Sequence, residues 1–169
     1  WPTFTPEEIA DFAGRPYAEV AARVIGAFAG DEIPDADLKA MCAEAYATFS
    51  HPAVVPLTQI GSDTFIAELF HGPSLAFKDV AMQLLARLYD YLLAGQKRRQ
   101  TILCATSGDT GGAAVEAFRG AKAVKIVVLF PEGRISEVQR RFMTTADEAN
   151  VACVSVTGDF DDCQAIVKA

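Results

Sequence analysis

Three short apolar runs set the strongest limit on how this chain can fold. Residues 101–105 (TILCA), 124–130 (VKIVVLF) and 151–156 (VACVSV) are strand-sized and begin about 25 residues apart. Between them, residues 110–118 and 135–145 read as helices, and a further helix opens near Phe160. Strands separated by helices cannot pair as tight hairpins, so the pattern calls for a parallel sheet with crossover connections. In such a sheet ligands gather at the carboxyl ends of the strands. Three loops occupy that edge, 106–111, 131–134 and 157–159, and the first carries the most chemistry.

The first half reads as helical. Thr5-Pro6-Glu7-Glu8 forms a helix start, with Thr5 as N-cap, Pro6 at the first helical position and Glu8 closing a capping box. Phe4 and Ile9 stand at the positions of a hydrophobic staple. Tyr17, Val20, Ala21, Val24, Ile25 and Phe28, and after Pro34 Leu38, Met41, Cys42, Ala45, Tyr46 and Phe49, recur at helical spacing. The aromatic set Phe4, Phe12, Tyr17 and Phe28 is expected in the core. Residues 64–70 (TFIAELF) suggest a strand, residues 71–74 (HGPS) a turn, and residues 76–94 a helix. On that helix Asp79, Gln83, Arg87 and Asp90 share one stripe, while most other positions are apolar. Lys97, Arg98 and Arg99 read as a solvated loop at its C-terminus.

Charge narrows the range of partners. Fifteen Lys and Arg face 22 Asp and Glu, for a net charge of −7. That balance argues against nucleic acid or an anionic membrane as the general partner, although a local cationic pocket for a small anion fits. No apolar run reaches the roughly 18 residues that cross a bilayer. Cys42, Cys104, Cys153 and Cys163 are widely spaced, with no C-x-x-C pair, so reduced thiols and a cytoplasmic setting are expected. Asp159, Asp161 and Asp162 read as acidic residues at a helix start rather than as metal ligands, and no metal site is expected. His51 and His71 read as structural, with His71 in the turn before the Lys78 helix.

Two places carry reactive chemistry. The loop ATSGDTGG, from Ala105 to Gly112, follows a strand and opens a helix. Gly108, Gly111 and Gly112 permit tight turning and close backbone approach, and helix N-terminal amides form an anion cradle. Ser107, Thr106 and Thr110 add hydroxyls. The spacing matches neither the dinucleotide fingerprint nor the P-loop, and simple turn chemistry with an N-cap remains an alternative. The second place is Lys78, in the first turn of a largely apolar helix, where burial and the helix dipole disfavour the ammonium form. A neutral amine there can attack an aldehyde to form a Schiff base, whereas a lysine with its stem packed and its head in water is the bland alternative.

Together these segments resemble the threonine synthases, within the fold type II group of pyridoxal-phosphate enzymes. The resemblance rests on ELFHGPSLAFKDVAMQLL (68–85), ATSGDTGGAA (105–114), FPEGRISEVQRRFMTT (130–145) and GDFDDCQAIVK (158–168). It implies an α/β chain: a helical N-terminal segment followed by a parallel βαβαβ sheet, an incomplete fold of the tryptophan synthase β type. The implied division is a helical region over 1–60, part of a large cofactor domain over 61–100, and a small parallel-sheet domain over 101–169. Lys78 matches the lysine that holds pyridoxal phosphate, and Asp109 lies beside the cofactor ring. Ser107, Gly108 and Asp109 match the loop for the substrate carboxylate, and Thr106 and Thr110 match positions reaching substrate phosphate. Asp109 would repel an anionic substrate unless it is protonated or paired.

The implied reaction turns O-phospho-L-homoserine and water into L-threonine and phosphate, in a monomer or homodimer. Another lyase of the same fold, such as a dehydratase, or a non-catalytic module are the competing readings. The chain opens on Trp1 rather than Met, and the family's chains are more than twice as long. The 169 residues by themselves are therefore expected to be inactive, as a truncated product or a part of a longer enzyme.

Overall fold

The N-terminal helices begin where their own side chains can cap them. In the computed structural model, which describes residues 1–169, α1 spans Pro6–Ala10. The Thr5 hydroxyl accepts from the Glu8 amide (3.2 Å), and the Glu8 carboxylate accepts from the Thr5 amide (2.9 Å), closing the expected box. The staple differs: Ile9 is exposed, and the Phe4 ring meets Phe12 instead, 5.6 Å between centroids. Helices α2 (Tyr17–Ala29) and α3 (Asp35–Tyr46) pack together, burying Ala22, Leu38, Met41, Cys42 and Ala45. Tyr17 and Tyr46 meet edge to face at 4.7 Å. Phe28, expected in the core, is exposed and touches only the Trp1 ring among aromatic groups. Strands β1 (Leu57–Gln59) and β2 (Phe65–Ala67) form an antiparallel hairpin, so the strand read at 64–70 is shorter and has a partner that the sequence pattern did not reveal.

The remaining elements are α4 (Asp79–Gly95), β3 (Gln100–Ala105), α5 (Asp109–Phe118), β4 (Val124–Pro131), α6 (Glu137–Thr144), β5 (Val151–Val156) and α7 (Phe160–Lys168). The three strands form a parallel sheet in the order β3-β4-β5, as their spacing predicts. The central strand β4 is buried along most of its length. Its Val124, Ile126, Val128 and Phe130 pack with Val115 and Phe118 of α5, Met143 of α6, and Ala86 and Leu93 of α4. Helix α7 lies against β3 and β4 with Cys163 buried. At its start the Asp159 carboxylate accepts from the amides of Asp161 (2.9 Å) and Asp162 (3.1 Å), the capping role that its place predicts.

Contacts divide the chain into two units, Trp1–His71 and Gly72–Ala169. The boundary at 71/72 lies inside the stretch 61–100 that is expected to belong to the cofactor domain. Helix α4 shares its apolar face with the sheet's core, and a common core keeps both in one unit.

Candidate active site at the carboxyl edge of the parallel sheet

Lys78 ends the turn before α4 and already has helical backbone angles, φ −64° and ψ −20°. Its Nζ donates to Asp109 Oδ2 at 2.9 Å and stands 4.3 Å from the centroid of the Phe77 ring. The side chain is 27% exposed, so the amine is neither sunk in an apolar wall nor free in water. The expected apolar surroundings of the nitrogen are replaced by a carboxylate and a ring face, both of which attract a cation.

Asp109 opens α5, immediately after β3 and its loop. Oδ2 takes the Lys78 bond and Oδ1 accepts from the Thr110 amide at 2.8 Å. The Lys78 ammonium, helped by that amide, holds the Asp109 carboxyl below the usual carboxylate range. This answers the question that its charge raises: Asp109 is a paired carboxylate, seated at the positive end of its own helix.

The rest of the loop is built differently from an open anion cradle. Thr106 is 1% exposed, and its Oγ1 accepts from the amides of Gly108 (3.0 Å) and Gly111 (2.8 Å). The hydroxyl expected to reach a ligand's phosphate therefore folds the loop from inside. Gly108 has φ +139°, open to glycine alone, and a Cβ there would run into the Gln139 side chain. A Cβ on Gly111 would strike Met143 and, at 2.6 Å, the Thr106 methyl. These glycines make room for the protein's own side chains. Ser107 is exposed and Thr110 half-buried at the same edge.

Ser74, Leu75, Ala76, Gly108, Asp109 and Gly112, with Val138, Gln139 and Phe142 of α6, line a cavity of about 240 Å³. The motif at 130–145 marked this segment as part of the crevice but named no α6 side chain that lines it. The readable local sign there was the capping box, in which Gln139 Oε1 accepts from the Ser136 amide at 3.1 Å and leaves the amide face of Gln139 against Gly108. Pairing of Ser74 with Asp79 was likewise unread. Asp79 is wholly buried and accepts from the Ser74 amide (2.8 Å) and hydroxyl (2.7 Å). His71 belongs to the other unit, where Nε2 pairs with Glu68 Oε2 at 2.7 Å and its carbonyl accepts from the Ser50 amide.

A helical N-terminal segment, a parallel βαβαβ sheet, and a helix-start lysine beside a glycine-rich strand-to-helix loop define the N-terminal portion of a fold type II pyridoxal-phosphate enzyme. The comparisons narrow this further. The family model for the threonine synthase N terminus matches residues 1–46. The threonine synthase of Pseudomonas aeruginosa is 51% identical over 99% of this chain and 36% of that protein, and that of Saccharomyces cerevisiae is 48% identical over 83% and 30%. Among solved structures, the pyridoxal-phosphate-bound threonine synthase from Brucella melitensis superposes with a TM-score of 0.94 at 56% identity, over 99% of this chain and 36% of that one. The chain matches the N-terminal portion of threonine synthases over nearly all of its own length, and it spans about a third of the length of the relatives it matches.

Proposed function

We propose that these residues supply the Schiff-base lysine and the glycine-rich loop of a threonine synthase that makes L-threonine and phosphate from O-phospho-L-homoserine and water. The contact between Lys78 Nζ and Asp109, a residue of the cavity wall, carries the reading. The donor set suits pyridoxal phosphate: a primary amine that can condense with an aldehyde, within reach of open space, beside a charged group that can orient it. Lys78 would hold the cofactor, with Asp109 alongside. When bound, the cofactor supplies an electron sink that makes protons near the substrate's amino group removable.

The chain's own residues then bind, orient and move protons. Lys78 Nζ, when free, can take a proton from one substrate carbon and return it to another. Asp109 holds that nitrogen in place, and its negative charge is offset whenever the nitrogen carries a proton. Ser107, Thr110 and the Gly108 turn offer hydroxyl and backbone groups to a substrate carboxylate. Thr106 serves the same end through the shape of the loop. Val138 and Phe142 wall the cavity's α6 side and limit water.

On this reading the partner is a small phosphorylated amino acid, the setting is cytoplasmic, and the enzyme is a monomer or homodimer. The 169 residues alone, about a third of such an enzyme, give no turnover. The test is borohydride trapping of pyridoxal phosphate on the intact protein, with the labelled residue found by peptide mapping. The expected label is on Lys78, and Lys78→Ala abolishes both label and phosphate release from O-phospho-L-homoserine. Ammonia release from threonine without phosphate release would point to a dehydratase. No label, with Lys78→Ala inert, would leave a non-catalytic module.

A further inference from the structure

Asp79 stands out among the polar side chains of the second unit because it is a carboxylate with no exposure at all. Such a group is costly to bury, and the lack of solvent pushes its carboxyl above the usual range despite two hydrogen bonds. It is not a conventional N-cap. Asp79 is the first residue of α4, and its oxygens accept from Ser74, five residues upstream: Oδ2 from the amide at 2.8 Å, Oδ1 from the hydroxyl at 2.7 Å. The Ser74 hydroxyl in turn accepts from the Ala76 amide at 3.3 Å.

The surrounding backbone is shaped to this carboxylate. Gly72 lies against it so closely that a Cβ would collide with Asp79 Cβ and Oδ2. Leu75 is held at φ +64°, a left-handed conformation unusual for a branched side chain and kept only where neighbours over-determine it. Its amide donates to the Gly72 carbonyl at 3.1 Å. The turn 72–76 is therefore wound around Asp79. The one residue between that turn and Asp79 whose side chain reaches Asp109 is Lys78.

We infer that Asp79 is a positioning residue for Lys78: by locking the 72–76 turn through Ser74, it fixes the first turn of α4 so that the amine meets Asp109 at the cavity. The catalytic meaning of this rests on the function proposed above, but the geometry does not. A side chain tethered to one helix start inherits that helix's direction, and a displacement of about 1 Å at a reacting atom costs on the order of a hundredfold in rate.

The test uses the intact protein and limiting acetic anhydride, which acetylates lysines, the six within these 169 residues among them, in proportion to the availability of each amine. In the native protein Lys78, held against Asp109, reacts more slowly than exposed Lys125. In Asp79→Ala and in Ser74→Ala, the ratio of Lys78 to Lys125 rises at least about threefold, as expected when a supporting contact is removed and the amine swings free. Asp79→Asn, which keeps an acceptor for the Ser74 amide, stays closer to the native ratio. Unfolding of Asp79→Ala would show as equal reactivity at all six lysines, and Ser74→Ala then decides. A native ratio in folded Asp79→Ala, or in Ser74→Ala, overturns the inference. Trapping of pyridoxal phosphate is read separately, so its failure in the native protein would count against the proposed function and leave the acetylation result to judge Asp79.

Discussion

The two units solve the problem of burying apolar surface in different ways. In Gly72–Ala169 each crossover helix covers a strand, and β4 with its neighbours makes a continuous core from Val124 to Phe130. In Trp1–His71 the core is mainly the seam between α2 and α3, while every residue of the β1–β2 hairpin is exposed, Leu57 at 67% and Phe65 at 54%. Charge differs as well: the first unit has three Lys and Arg against eleven Asp and Glu, the second twelve against eleven. A parallel sheet has to be covered, so it brings several helix starts and loops to one edge, where chemistry can be assembled. A two-stranded hairpin has no such demand, and it carries apolar surface without enclosing it.

The largest expected contrast is in core truncation. Phe118→Ala, at the centre of the second unit, should cost about 3–5 kcal/mol. Phe65→Ala in the hairpin should change stability by less than about 0.5 kcal/mol. Urea unfolding of both variants checks this, and equal costs would show that the hairpin is enclosed in solution.

Loop packing comes next. Thr106→Val leaves the amides of Gly108 and Gly111 without their acceptor, and about 2 kcal/mol of destabilisation is expected. Gly111→Ala forces a methyl against Met143 and Thr106, with an expected cost of about 1–3 kcal/mol. Thermal melts of these two variants, set beside the same substitution at Gly61, whose nearest neighbour is 3.6 Å from such a Cβ, separate steric demand from loss of glycine itself.

The smallest effects concern pH. Asp109 has a lowered carboxyl, so its contribution is present above the ordinary carboxylate pKa and is lost as pH falls through the lower folded value. Asp79 has a raised one: its contribution is present below the ordinary value and is lost as pH rises through the folded one. Melting temperature plotted against pH should therefore change in opposite senses for Asp109→Asn and Asp79→Asn. Shifts of the same sign would mean that one of the two carboxylates is not in the environment described.

Much of this was legible in the residues. Strand and helix order, the cap at Thr5 and the acidic helix start at Asp159 all follow from spacings of two to four residues, which the chain's own geometry enforces. The four motifs also carried the family resemblance that the comparisons bear out. Less was legible about direction. Periodicity placed Phe28 on an apolar face and staple spacing placed Ile9 against Phe4, yet neither signal says whether another element covers the side chain, and both are exposed.

What the sequence alone determined is the succession of elements and the identity of the reactive groups, because both are written in neighbours along the chain. Tertiary structure decided which groups meet. Lys78 and Asp109 are 31 positions apart, Thr106 turns inward to tie its own loop, and Gln139 fills the space that Gly108 leaves. Each of these depends on the register of β3 beside β4 and on the seating of α4, α5 and α6 over the sheet, and contacts of that kind exist only once the whole layer has packed.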